Sequence, residues 1–222
     1  MKETEATVNP EIMEYIRERI VPQYESFDPA HRVDHVCSVI RAALEMSRHY
    51  DVDVDIVAMA AACHDLGLVK DRESHHLVSG SIIRSDARLH RWFTQEQIET
   101  IARAAEDHRA SSDHAPRSIY GRIIAEADRQ IDPLTVIRRT VQYGLEHYPD
   151  LDREGHWQRT LEHLHEKYAE GGYLKLWIPE SSNAAELERL RDIIRDEKKL
   201  RSIFDEIFDN ELAHRKCICS PR

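Results

Sequence analysis

The chain has 222 residues, 41% of them hydrophobic and 32% charged, which fits one generous soluble globular domain or a domain with an added helical segment. Its 41 acids and 31 bases leave a formal charge of −10, which argues against nucleic acid or an anionic membrane as a broad partner. The opening MKETEATVNPEIMEYIRERI lacks an apolar stretch of signal-peptide length, and no apolar run reaches the roughly 18 residues a membrane span needs, so the expected location is the cytoplasm.

With only 7 Gly and 8 Pro, nearly every segment reads as helix. The first covers NPEIMEYIRERIV, with Asn9 as its cap and Pro10 in the first helical position. A second follows Asp28-Pro29, with Val33, Val36, Ile40 and Leu44 at helical spacing. DVDIVAMAAACHDLG is a third, almost wholly apolar from Ile56 to Cys63 and so expected at the centre, with Gly67 placed to end it in a left-handed cap. Ser74 opens a fourth, through about Ala87. TQEQIETIARAAEDH opens on Thr94 and Gln97 at capping-box spacing, and SIYGRIIAEADRQID is a sixth helix ending near Asp132. Asp132-Pro133 starts another, through about Glu146. After the loop YPDLDREG, a His-rich helix over 152–169 carries His156, His163 and His165 and stops at Gly171-Gly172. A last helix runs from near Asn183 to about Arg215, with an Ile/Leu/Phe stripe suited to packing on the core or to a homodimer seam. Of four Cys, Cys37 and Cys63 read as reduced core thiols, and Cys217 and Cys219 as part of a frayed tail.

Fourteen His is a high count, and many fall between positions 31 and 114. His31 and His35 lie four apart, on one face if the second helix already includes His31. His64 and Asp65 close the third helix, His75 and His76 open the fourth, and His108 closes the fifth. Asp128 shares its helix face with Ile124 and Gly121. A carboxylate facing inward is costly unless a cation or hydrogen-bond donors meet it, and an arginine salt bridge is the competing account.

His35 in HVCSVIRAA, the doublet His64-Asp65 in AAACHDLG and Asp128 in AEADRQID resemble, in order, spacing and apolar context, the H…HD…D pattern of the HD-domain superfamily of metal-dependent phosphohydrolases. The likeness covers roughly residues 28 to 132. The run of helices reads as an all-α fold with a C-terminal helical extension over 151–222 packed on the domain before it, and the likeness implies that this domain, over residues 1–150, is an HD-domain helical bundle. The likeness also implies that His35, His64, Asp65 and Asp128 ligate one divalent metal. His35, followed by Val39 and Ala42-Ala43, fits the family's first ligand better than His31, which then falls at the pocket rim. Branches with two metals draw further His from the next two helices. There His76 in HLVSG matches a His-x-x-x-Gly element, His108 matches the later His, and Asp65 would bridge.

Imidazoles and carboxylates together suit Mn, Fe, Ni, Co or Zn, with Mg also open. A metal with an open position acidifies its bound water and polarises a phosphoryl oxygen. The expected function is therefore hydrolysis of a small phosphorylated metabolite or nucleotide, with Asp65, Lys70 and His31 as catalytic residues. Lys70, Arg72, Arg109 and Arg129 each lie beside an implied ligand and form, with His31, the expected phosphate clamp. Departures narrow the resemblance. HDLGLVKDRE lacks the acid pair of alarmone hydrolases, Leu68 stands where 5′-deoxynucleotidases carry Glu, and GGY at 171–173 is not the Gly-Tyr-Pro of the cyclic-di-GMP branch. Two alternatives remain: a di-iron oxygenase, and a non-catalytic nucleotide-binding or regulatory module.

Overall fold

The computed structural model describes residues 7–27, 31–112 and 114–218, with side chains up to 214. The pair Cys217 and Cys219 therefore falls outside the described side chains. Among these residues there are ten α-helices and no strands, as the all-α reading expects. Helix α1 (Pro10–Tyr15) starts where the cap predicts, with the Asn9 side chain accepting from Glu11 N–H at 2.9 Å. It then widens into a π turn (Ile16–Ile20) and tightens into a 3-10 turn (Val21–Ser26). Helices α2 (Val33–Ser47), α3 (Val54–Cys63), α4 (His75–Ser85), α5 (Gln95–Glu106) and α6 (Ile119–Arg129) follow. The capping box of Thr94 and Gln97 forms at the start of α5. Then come α7 (Pro133–His147), α8 (Arg153–Tyr168), α9 (Asn183–Arg195) and α10 (Glu197–Ile218). The single last helix expected over 183–215 is thus two. Asp196 ends α9 and opens α10, its carboxylate accepting from Lys199 N–H at 3.1 Å.

Packing divides the chain into two compact units, Met1–Gln130 with Leu176–Ser181, and Ile131–Lys175 with Ser182–Arg222. The division lies at 130, ahead of the 150 read from the sequence. In the first unit α3 is the central helix: every residue from Ile56 to Cys63 is buried. Ala58, Ala60, Ala61 and Ala62 keep that helix thin, so α2, α5 and α6 pack close around it. Each Ile or Val sealed in this core contributes about 1.5–3 kcal/mol relative to exposure. Cys63 is in that core, but Cys37 is exposed, because it falls on the outer side of α2.

The segment 176–181 returns to the first unit through one buried acid. Glu126 of α6 is fully buried, and its carboxylate accepts from Trp177 N–H and Ser181 Oγ–H, both at 2.6 Å. The second unit has its own core, built from α7 to α10 around Val136, Ile137, Trp157, Leu190 and Phe204. Trp157 meets Phe204 edge-on at 5.4 Å. No helix among the described residues is long and apolar enough to cross a membrane.

Candidate metal centre

The centre is assembled where α3 stops. His64 still has helical angles, but Asp65, at φ −105° and ψ 6°, leaves the helix and leads into a 3-10 turn (Leu66–Val69). Gly67 does not take the left-handed conformation expected of it; Gly171 is the glycine with positive φ among the described residues. Its role is close approach. A Cβ there would lie 1.9 Å from the carbonyl oxygen of His75 and 2.8 Å from the Ser79 nitrogen. Gly67 N–H also donates to Ser79 Oγ at 2.9 Å. The bare backbone at 67 therefore lets α4 lie against the turn and brings His75 next to Asp65.

Two groups of ligand atoms result, and Asp65 belongs to both. In the first, His35 Nε2 lies 3.2 Å from Asp128 Oδ1, 3.3 Å from His64 Nε2 and 3.6 Å from Asp65 Oδ2. His64 Nε2 lies 3.2 Å from Asp65 Oδ2 and 3.6 Å from Asp128 Oδ1. In the second, His75 Nε2 and His108 Nε2 are each 3.3 Å from Asp65 Oδ1 and 3.0 Å from each other. His64, Asp65 and His108 are buried, whereas the Asp128 side chain is 25% exposed and marks the open side.

Backbone carbonyls set the imidazole tautomers. His64 Nδ1 meets Ala61 O at 2.8 Å, His108 Nδ1 meets Ala105 O at 2.6 Å and His75 Nδ1 meets Arg72 O at 2.8 Å. Each is a carbonyl three residues back, so the ring proton sits on Nδ1 and the Nε2 lone pair turns inward. Between His75 and His108 this leaves two lone pairs facing each other, which repel unless a cation or proton lies between them. Ligand atoms about 2.0–2.2 Å from a zinc-like ion are roughly 3–3.5 Å from one another, the spacing seen in both groups. The donor set thus fits a divalent ion.

Residues 32–130 match the family model for the HD domain. This part of the chain is an HD domain. No curated protein and no solved structure matches the chain significantly. HD domains bind divalent metals, and this one brings together His/Asp groups that could hold one. The match supports a metal-dependent hydrolase in the coarse sense.

The HD domain departs from the sequence reading at one ligand position. His75, not His76, joins Asp65 and His108. Successive helix residues point about 100° apart, so the identity of the inward residue depends on where α4 begins. The helix begins at His75, after a turn in which Ser74 donates to Asp71 through both N–H and Oγ at 2.6 Å. His76 Nδ1 is buried with no partner among the described residues. Burial, reinforced by His108, holds the His75 imidazole down at about 4, so it is neutral and ready to ligate. His75→Ala is expected to remove the second group's metal and leave the first group's, whereas His76→Ala leaves both. Metal content per chain reads the difference, and equal loss in the two variants would refute it.

The residues of the expected phosphate clamp fall in different local settings. Lys70 and Arg72 are exposed on the turn after the HD pair. Arg109 donates to Glu73 O at 2.6 Å, and Arg129 donates back to Ala125 O of its own helix, so each uses a donor on backbone. His31 precedes α2 rather than lying in it, and its ring meets His35 edge-on at 5.6 Å.

Burial disfavours the charged forms of His35 and His64, but Asp128 and Asp65 outweigh it and hold both imidazoles above the usual 6.5. The same contacts hold both carboxylates well below their usual range despite burial. In metal-free protein the imidazoles contribute stability that is lost as pH rises through their raised values. The carboxylates contribute stability that is lost on acidification below the usual 3.8. A metal must displace the imidazole protons, so affinity is expected to climb, with proton release, as pH rises through the raised values of His35 and His64. Calorimetry in buffers of different ionisation enthalpy counts those protons; a flat affinity would contradict this.

Proposed function

We propose that the protein is a divalent-metal-dependent phosphohydrolase acting on a small phosphorylated metabolite or nucleotide through a metal-activated water. The observation that carries this reading is the shared carboxylate, with one Asp65 oxygen among His35, His64 and Asp128 and the other against His75 and His108. A divalent ion held by these groups would supply a Lewis acid for a phosphoryl oxygen and a water acidic enough to attack near neutral pH. The chain's own residues do the remaining work. The carbonyls of Ala61, Arg72 and Ala105 hold three imidazoles as acceptors at Nε2. Asp128 lies on the open side, where substrate enters. Lys70 and Arg72, on the exposed turn after the HD pair, bring positive charge for phosphate oxygens, and His31 stands at the edge of His35.

The test is phosphate release from a panel of phosphomonoesters, phosphodiesters and nucleotides, with the protein loaded separately with Mn, Fe, Ni, Co, Zn or Mg. Turnover with at least one metal, lost in His64→Ala, is expected. No turnover with any metal would overturn the reading. The shared carboxylate also suits a di-iron oxygenase. Two irons per chain with oxygen consumption, and no phosphate release, would move the assignment there.

A further inference from the structure

The family match begins at residue 32, yet a side chain before that point reaches the centre. Tyr24, in the 3-10 turn after α1, is fully buried. Its hydroxyl donates to Ala62 O at 2.8 Å and accepts from Asp65 N–H at 3.3 Å. The ring packs edge-on to Phe27 at 5.1 Å, which fixes the direction of the hydroxyl.

The last carbonyls of a helix lack intrahelical partners, and what claims them sets how the chain leaves. At the end of α3 two consecutive carbonyls are claimed by side chains. Ala61 O meets His64 Nδ1, and Ala62 O takes the proton of Tyr24. The first bond aims His64; the second, through the same tyrosine oxygen, holds the amide of Asp65. We propose that Tyr24 is a positioning residue for the metal centre: its hydroxyl pins the turn that points the Asp65 carboxylate into both ligand groups. The inference rests on the metal reading of those groups. The Tyr24 ring also lies tilted beside the His64 ring at 6.4 Å, a contact that a phenylalanine keeps, whereas the hydroxyl acts through the backbone of Ala62 and Asp65.

A merely structural tyrosine would cost stability and leave metal affinity alone, and a control from the same segment separates the two roles. The Tyr15 hydroxyl donates to Asp86 at 2.5 Å, and neither residue belongs to a ligand group. The full-length wild type, Tyr24→Phe and Tyr15→Phe proteins are titrated with Mn²⁺ and with Zn²⁺ by calorimetry. Tyr24→Phe keeps the ring and its packing, and is expected to bind metal about 10- to 100-fold more weakly, as when an outer-shell partner of a ligand is lost. Tyr15→Phe is expected to bind as wild type does. If metal-free Tyr24→Phe fails to fold, metal release from loaded protein into excess chelator gives the same comparison as a rate, faster for Tyr24→Phe alone. Wild-type affinity in Tyr24→Phe, or equal loss in both variants, overturns the proposal and leaves the metal reading standing. A wild type that binds neither ion overturns both.

Discussion

An Asp65→Asn protein is expected to leave a divalent-metal titration with neither ligand group filled. The carboxylate places Oδ2 within 3.2–3.6 Å of two imidazoles in one group and Oδ1 at 3.3 Å from two imidazoles in the other. An amide offers one acceptor oxygen and no charge, so it cannot serve both sides. Affinity is expected to fall by more than about 100-fold at each group, beyond what loss of an outer-shell partner costs. His35→Ala or His108→Ala, by contrast, removes a ligand from one group only. Metal analysis after dialysis reads the result; one ion retained on His35, His64 and Asp128 would mean that the carboxylate is not shared. A second readout needs no metal. Since Asp65 helps to hold the His64 imidazole above its usual value, Asp65→Asn should bring the His64 titration down in the metal-free protein, as followed by NMR.

Gly67→Ala carries the next largest effect. The added methyl would run into the carbonyl oxygen and carbon of His75 and the nitrogen of Ser79, all backbone atoms that no rotamer change can move aside. The turn and α4 must separate. The Gly67–Ser79 hydrogen bond is lost and His75 is drawn away from Asp65. Overpacking of this kind costs about 3 kcal/mol or more, which at this chain length lowers Tm by roughly 6–12 °C. Metal loss is expected first from the group that contains His75. An unchanged Tm with two metals bound would show that α4 does not need to lie so close.

The contrast between these residues shows what could be read from the chain alone. His35, His64, Asp65 and Asp128 stood out because ligand-type side chains closed or faced apolar helices in a set order, and the structure brings all four together. His75 was missed by one position. A His-His doublet at a helix start carries no local mark of which ring faces inward, and the answer lies in the packing of α4 against Gly67. Gly67 was noticed for conformational freedom, while its use is the absence of a Cβ, a tertiary fact with no sequence period. Tyr24 had no signal at all, because it follows the first predicted helix in the polar stretch PQYES, and its use shows only where its hydroxyl meets the end of α3. Cys37 was read as buried from the apolar pattern of α2 and is exposed, since one residue of phase moves a side chain from one face to the other.

The return of residues 176–181 to Glu126 has a consequence in time. Synthesis proceeds at about 5–20 residues per second, and domains generally fold in the order in which they emerge. Here the first unit is interrupted by the start of the second and receives its last piece only when Trp177 and Ser181 have been made. For some seconds the growing chain holds every candidate ligand, from His35 to Asp128, while Glu126, two residues before Asp128 on the same helix, still lacks these donors. A chain cut after Gln130 would lack those donors permanently, so the part matched by the family model is contiguous in sequence while the compact unit that contains it is not.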